Sequence, residues 1–185
     1  NYQNTLGAIY IIRDPRNVAI SVANHFNYSI EESVNRLLRS CVLGGFNSKI
    51  NRYQVAHHIT SWSMNYLSWK LLEKQNRYLF IKYEDLTKNT EFIFNKILEF
   101  IYKLMSQELL IDKNKFNNVI ESTKFKKLQK LEQENIFEEA AEHDGQRKTF
   151  FRYGPKENSK KILDKSLKEK IETNLKNEMK ELGYL

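Results

Sequence analysis

An arginine at the end of an apolar run is the first residue in this sequence with an obvious chemical use. Ala8-Ile9-Tyr10-Ile11-Ile12 leads into Arg13, and Asp14-Pro15 opens a helix directly after it. A guanidinium at that place can grip a phosphate through two parallel hydrogen bonds. In open parallel sheets, ligands gather outside the carboxyl ends of the strands, which is the end Arg13 occupies. Ser21 follows two turns into the helix, on a polar stripe with Asn17, Asn24 and Tyr28. Its hydroxyl could meet the same anion. From these residues alone an alternative stays open, in which Arg13 pairs with a neighbouring carboxylate and Ser21 simply faces solvent. Metal chemistry has no support in the spacing: His57 and His58 are adjacent, His25 and His143 stand alone, and Cys41 is the single cysteine. No zinc-ligand pattern results.

Strands and helices must hold these residues in place. Residues 8–12 and 78–83 are short apolar runs and predict two buried strands. Asp14 as N-cap and Pro15 at the first helical position predict a helix to Phe26, with Val18, Val22 and Phe26 as its apolar stripe. Ser29-Ile30-Glu31-Glu32 has the capping-box form and predicts a second helix with Val34, Leu37, Leu38 and Cys41 on one side. Gly44-Gly45 ends it. Ile59, Trp62, Tyr66, Trp69 and Leu72 recur at helical spacing and predict a long helix from about Gln54 to Gln75, its aromatic stripe packed in the core. Further helices are expected from Thr90 through Leu104, over 113–121 and over 125–131. A long polar loop is expected over 132–149, and a last helix over 166–182, stopped by Gly183. Strands alternating with helices predict an α/β fold with a parallel sheet. Because two apolar strands make no stable sheet alone, further strands are expected ahead of Asn1.

The totals narrow the class. A chain of 185 residues, 41% hydrophobic and 12% aromatic, predicts one domain spanning 1–185 with a real core. No apolar run is long enough for a membrane span, and Asn1 to Leu6 lacks a signal-peptide pattern. With one cysteine, a reducing compartment, the cytoplasm, is expected. The net charge of +7 suits a polyanionic partner or a Lys-rich solubilising surface. The aromatics fall on helical stripes rather than among the basic residues, which argues against nucleic acid.

The segment Ile11-Ile12-Arg13-Asp14-Pro15-Arg16-Asn17-Val18-Ala19-Ile20-Ser21 resembles the 3′-phosphate-binding segment of the sulfotransferases that use 3′-phosphoadenosine 5′-phosphosulfate (PAPS), bacterial-type members especially. The resemblance implies that Arg13 and Ser21 hold the 3′-phosphate. Trp62, Trp69 and then Tyr78-Leu79-Phe80-Ile81-Lys82-Tyr83-Glu84-Asp85-Leu86 resemble the family's tryptophan-bearing helix and its strand ending in Tyr-Glu-Asp, which makes Tyr83 an adenine-side contact. Ser122-Thr123-Lys124-Phe125 resembles the Thr/Ser-x-Phe segment that flanks the adenine, so Thr123 and Phe125 inherit that role; a planar ring suits stacking on a base. Phe150-Phe151-Arg152-Tyr153-Gly154 resembles the Phe-x-Arg-x-Gly loop that closes over the 3′-phosphate. By the same resemblance Arg152 is a second anion clamp, Tyr153 stands beside it, and Gly154 admits backbone N–H groups to the phosphate. Together the four segments imply a P-loop-NTPase-like α/β fold, a parallel sheet flanked by helices, with sulfuryl transfer from PAPS to a hydroxyl or amine and no metal.

Departures are also present. The family loop usually continues Gly-x-x-Gly-x-Trp-Lys, whereas Gly154 here is followed by Pro155-Lys156-Glu157-Asn158-Ser159-Lys160; Lys156 or Lys160 could compensate. None of the six glycines forms a P-loop-like turn, so the phosphosulfate loop and the catalytic base are expected upstream of Asn1. The 185 residues alone are therefore expected not to transfer sulfate. His25, on the helix with Ser21, could border the acceptor cavity. The acceptor is expected to be a small molecule, glycan or lipid, and homo-oligomerisation is left open. Two other readings compete: a P-loop-kinase-like nucleotide-binding protein, and a non-catalytic basic binding module of the same fold.

Overall fold

The computed structural model describes residues 5–47, 52–74, 77–137, 142–143, 146–147, 149–152, 154 and 159–185. Along the chain run β1 (Ala8–Ile12), α1 (Pro15–Phe26), α2 (Ile30–Leu38), β2 (Cys41–Asn47), β3 (Arg52–Ile59), α3 (Trp62–Lys70), β4 (Tyr78–Lys82), α4 (Tyr83–Lys88) and α5 (Thr90–Leu104). Then come α6 (Lys113–Ser122), α7 (Phe125–Gln133), β5 (Glu142–His143), β6 (Gln146–Arg147), α8 (Ser159–Ile162), α9 (Lys165–Asn174) and α10 (Lys176–Glu181). They form two compact units, Asn1–Arg13 with Leu71–Asn158, and Asp14–Lys70 with Ser159–Leu185.

In the first unit β1 and β4 pair in parallel, in register from Ala8↔Tyr78 to Ile12↔Lys82. This is the α/β arrangement the sequence predicts, with α4 and α5 packed against β4. Ile12 and Ile81 are buried, while Ile9 and Ile11 are exposed. On the face that also carries Ile12 the pair is aromatic: the Tyr10 ring lies 6.4 Å from Tyr78 and 6.2 Å from Phe80. Burial pushes the Tyr10 and Tyr78 phenols up to about 12 from their ordinary 10.0, with the neighbouring Tyr10 and Glu73 charges adding to the rise at Tyr78. A raised folded-state value means that the folded chain holds these protons more tightly than the unfolded chain does. The resulting stability is complete below pH 10 and is lost as pH climbs to about 12. Urea midpoints should therefore fall across that window, and ultraviolet titration should show two tyrosinates forming late. A flat midpoint there would contradict the burial of the pair.

In the second unit α1, α2 and α9 pack together around Ala19, Ile20, Ala23, Val34 and Ile171, all buried. Ser33, fully buried, donates its hydroxyl to Ala19 O at 2.5 Å, which lets α1 and α2 approach closely. Both expected caps are in place. Asp14 accepts from Arg16 N at 2.9 Å, and Ser29 accepts from Glu32 N at 3.0 Å.

Several expectations fail. The predicted long helix over 54–75 is instead a strand followed by a short helix. Residues 52–59 form β3, antiparallel to β2, and among the described residues of this stretch only Trp62–Lys70 is helical. Ser61 marks the true start of α3 by accepting from Met64 N at 3.2 Å. Trp62 and Tyr66 are buried as expected; Ile59 is exposed because it belongs to the strand, and Trp69 is exposed near the end of α3. Cys41 begins β2 rather than ending α2. Gly44 sits at the β2 irregularity with φ of +85°, where an added Cβ would lie 2.4 Å from Val55 O, so no side chain fits. The polar stretch predicted as a loop from Glu132 contains the end of α7 and the short β5–β6 pair. The final helix is two helices broken at Leu175, yet Ile171, Leu175, Met179 and Leu182 are all buried as one stripe.

Candidate functional site

The parallel register explains where the first candidate residue goes. Ile12 is level with Lys82, so the residues that follow each strand, Arg13 and Tyr83, leave the sheet side by side. The Arg13 guanidinium lies over the Tyr83 ring, 4.4 Å from its centroid. Such a contact orients the guanidinium plane and is worth about 0.5–1 kcal/mol in a partly exposed setting. On another side Arg13 Nη2 reaches Gly154 O at 3.5 Å, a weak hydrogen bond.

Gly154 is held in turn by Phe125. Its backbone has φ of +69°, a conformation glycine adopts without strain. A Cβ at this position would meet Phe125 ring carbons at 3.1–3.2 Å. Phe125 is half-buried as the first residue of α7 and takes the Phe151 ring edge-on at 5.9 Å. Phe137, Phe150 and Phe151 complete the cluster, with centroids 4.8–5.2 Å apart.

The segment Phe150–Arg152 is tied to α7 by polar contacts as well. Glu132, only 7% exposed, accepts from Phe150 N at 2.5 Å and from Phe151 N at 2.9 Å, one on each carboxylate oxygen. Gln129 Nε2 donates to Phe151 O at 3.0 Å. Arg152 N donates to Phe150 O at 3.0 Å, closing a tight turn. The sequence reading did not single out Glu132 and Gln129. The available signal was their spacing: residues 125, 129 and 132 fall on one helical face.

Six of the predicted residues, Arg13, Tyr83, Thr123, Phe125, Arg152 and Gly154, belong to the first unit. Direct contacts join Tyr83, Arg13 and Gly154, and the Phe125 ring fills the space where a side chain at 154 would lie. Arg152 is exposed on the same loop. Thr123 is exposed at the end of α6, where its hydroxyl donates to Val119 O at 2.8 Å. Ser21 belongs to the second unit, exposed on α1. Tyr153 and Lys156 lie outside the described residues, and the side chain of Lys160 is likewise not described. His25 is half-buried, with the Phe26 ring edge-on at 4.6 Å. Among the described residues no three His, Cys, Asp or Glu side chains gather as a metal site, and no helix is long and apolar enough to cross a membrane.

A guanidinium at a strand's carboxyl end, stacked on one aromatic ring and linked through a glycine to a second, is an arrangement suited to an aromatic, phosphorylated ligand. The comparison with known families agrees: the model of the sulfotransferase domain matches residues 3–183. The chain belongs to the sulfotransferase domain family. Solved sulfotransferase structures share its fold. Mouse sulfotransferase SULT7A1 complexed with PAP superposes with a TM-score of 0.63 at 16% identity, covering 94% of this chain and 58% of that one. Retinol dehydratase in complex with androsterone and inactive cofactor PAP gives 0.62 at 18% identity, over 94% of this chain and 47% of that one. The same enzyme in a complex with retinol and PAP gives 0.61 at 17% identity, over 94% and 48%. At these identities the likeness establishes the fold, and this sulfotransferase chain spans between 47% and 58% of their lengths. No curated protein matches it by sequence.

Proposed function

We propose that this sulfotransferase chain carries the 3′-phosphate and adenine half of a PAPS site, in an enzyme that moves a sulfuryl group to a hydroxyl or amine of a small-molecule, glycan or lipid acceptor. One observation carries the reading: the Arg13 guanidinium stacked on Tyr83 and linked through Gly154 to Phe125. Arg13 and Arg152 supply positive charge to the 3′-phosphate, and guanidinium forks suit it. Phe125 and Tyr83 offer ring faces to the adenine. Thr123, Ser21 and Tyr153 enter the proposal from the sequence resemblance alone.

The reaction is an in-line displacement. A lone pair on the acceptor oxygen or nitrogen attacks sulfur and forms the new S–O or S–N bond. The bond from sulfur to the bridging phosphate oxygen breaks, and that oxygen leaves with the electron pair as adenosine 3′,5′-bisphosphate. A base takes the acceptor proton. The residues of this site act on the nucleotide handle: they bind it and set its position, which is where much of the rate of such transfers originates.

Competition binding tests the reading. The full-length protein should bind adenosine 3′,5′-bisphosphate about 10- to 100-fold tighter than adenosine 5′-monophosphate or ATP, the value of one or two charge-assisted contacts to the extra phosphate. Equal affinity for ATP would instead favour a kinase-like nucleotide site.

A further inference from the structure

We propose that Glu132 is a positioning residue for the nucleotide, acting through the loop that carries Arg152 and Gly154; this rests on the reading of that loop as the 3′-phosphate clamp. A carboxylate is seldom buried in a protein without a structural task. Glu132 is 7% exposed, and its two oxygens take the N–H groups of two successive residues, Phe150 and Phe151. Gln129, one turn earlier on α7, holds the Phe151 carbonyl. Phe125, one turn earlier again, is the ring that occupies the space a side chain at 154 would need. A single helical face thus meets the backbone at Phe150 and Phe151 and the space beside Gly154.

The consequence concerns both arginines. Arg152 follows directly after the two clamped amides, and Gly154 O is a hydrogen-bond partner of Arg13. Were the loop slack, Arg152 would have to be ordered by the ligand, at a cost in affinity, and the Arg13 contact would lose its partner. Because α7 also presents Phe125, the same helix aligns the aromatic ring with the anion clamp. Preorganisation of this kind raises affinity by removing the entropy of ordering the loop.

Glu132→Gln replaces one acceptor oxygen with an NH₂ group that cannot accept an N–H, while keeping size and shape. In the full-length protein it should weaken adenosine 3′,5′-bisphosphate binding about 10-fold, as expected for loss of a charge-assisted contact. Affinity for adenosine 5′-monophosphate, which lacks the 3′-phosphate, should be unchanged. Amide hydrogen exchange at Phe150 and Phe151 should accelerate in the same variant. If both nucleotides weaken together, or the bisphosphate keeps its affinity in a folded variant, the proposal is wrong. Wild-type protein that fails to prefer the bisphosphate would instead overturn the reading of the site itself. Should Glu132→Gln not fold, Gln129→Leu removes only the bond to Phe151 O and carries the same comparison, with a selective loss of about 3-fold supporting the clamp and no selective loss overturning it.

Discussion

Replacing Arg13 with alanine in the full-length protein is expected to weaken binding of adenosine 3′,5′-bisphosphate by about 2–4 kcal/mol, roughly 30- to 700-fold. The size follows from what is left behind. A doubly charged phosphate in a partly buried site loses a forked partner and cannot be repaired by a neutral methyl group. Two side effects identify the mechanism. The Tyr83 face loses the cation above it at 4.4 Å, and Gly154 O loses its donor at 3.5 Å, so the loop loosens as well. Arg13→Lys should recover little of the loss, since an ammonium neither stacks flat on a ring nor forms a fork. Isothermal calorimetry on the two variants and wild type is the measurement. Wild-type affinity in Arg13→Ala would remove this residue from the site.

The second large effect is on stability. Arg16 is the centre of a buried ionic knot in the second unit. It bonds Asp14 through Nε at 3.0 Å and Nη2 at 2.6 Å, Glu172 through Nη1 at 2.5 Å, and the Tyr184 carbonyl through Nη2 at 2.9 Å. Its side chain is 17% exposed and that of Asp14 is 7% exposed. Hydrogen bonds to Asp14, together with those to Glu172 and both carboxylate charges, raise the guanidinium pKa above its ordinary value despite the opposing effect of burial. Arg16→Leu takes the guanidinium from two carboxylates, one of them deeply buried, leaving Asp14 the bond from the residue-16 amide and Glu172 its pair with Lys168 at 3.8 Å, and it removes the side-chain bond to the Tyr184 carbonyl. A loss of about 3 kcal/mol is expected, the scale for breaking one side of a buried pair. It should appear as a lower urea midpoint with little change in slope. A midpoint equal to wild type would show that the knot contributes nothing net.

How much of this was readable from the residues depended on whether the signal was local. Asp14-Pro15 and Ser29 announce helix starts through short-range capping chemistry, and both caps form. The runs at 8–12 and 78–82 are short and apolar, a pattern that fits strands, and they pair in parallel as predicted. The β2–β3 hairpin is hidden in the sequence because Ile59, the last residue of β3, happens to fall in the helical period that Trp62, Tyr66 and Trp69 keep on α3. Tyr53, Val55 and Ile59 also alternate as a strand would, and they stand exposed, so neither pattern was enforced by a core. The break at Leu175 was invisible because burial of Ile171, Leu175, Met179 and Leu182 survives it. For the site, the contact of Arg13 with Gly154 spans the chain and no spacing rule connects them; the family resemblance did. Glu132 escaped notice because its value comes from the two amides it meets, and a lone glutamate at a helix end looks like any solvated one.

Pairing β1 with β4 has a consequence for how the protein is made. Ala8 must wait for Tyr78, some 70 residues further along, and at about 5–20 residues per second a ribosome takes roughly 4–14 s to deliver it. Throughout that interval Ile9-Tyr10-Ile11-Ile12 is an apolar segment without its β4 partner. Closing so wide a loop is also slow once synthesis ends. Until Tyr78 emerges, β1 therefore lacks the strand it pairs with in the finished fold.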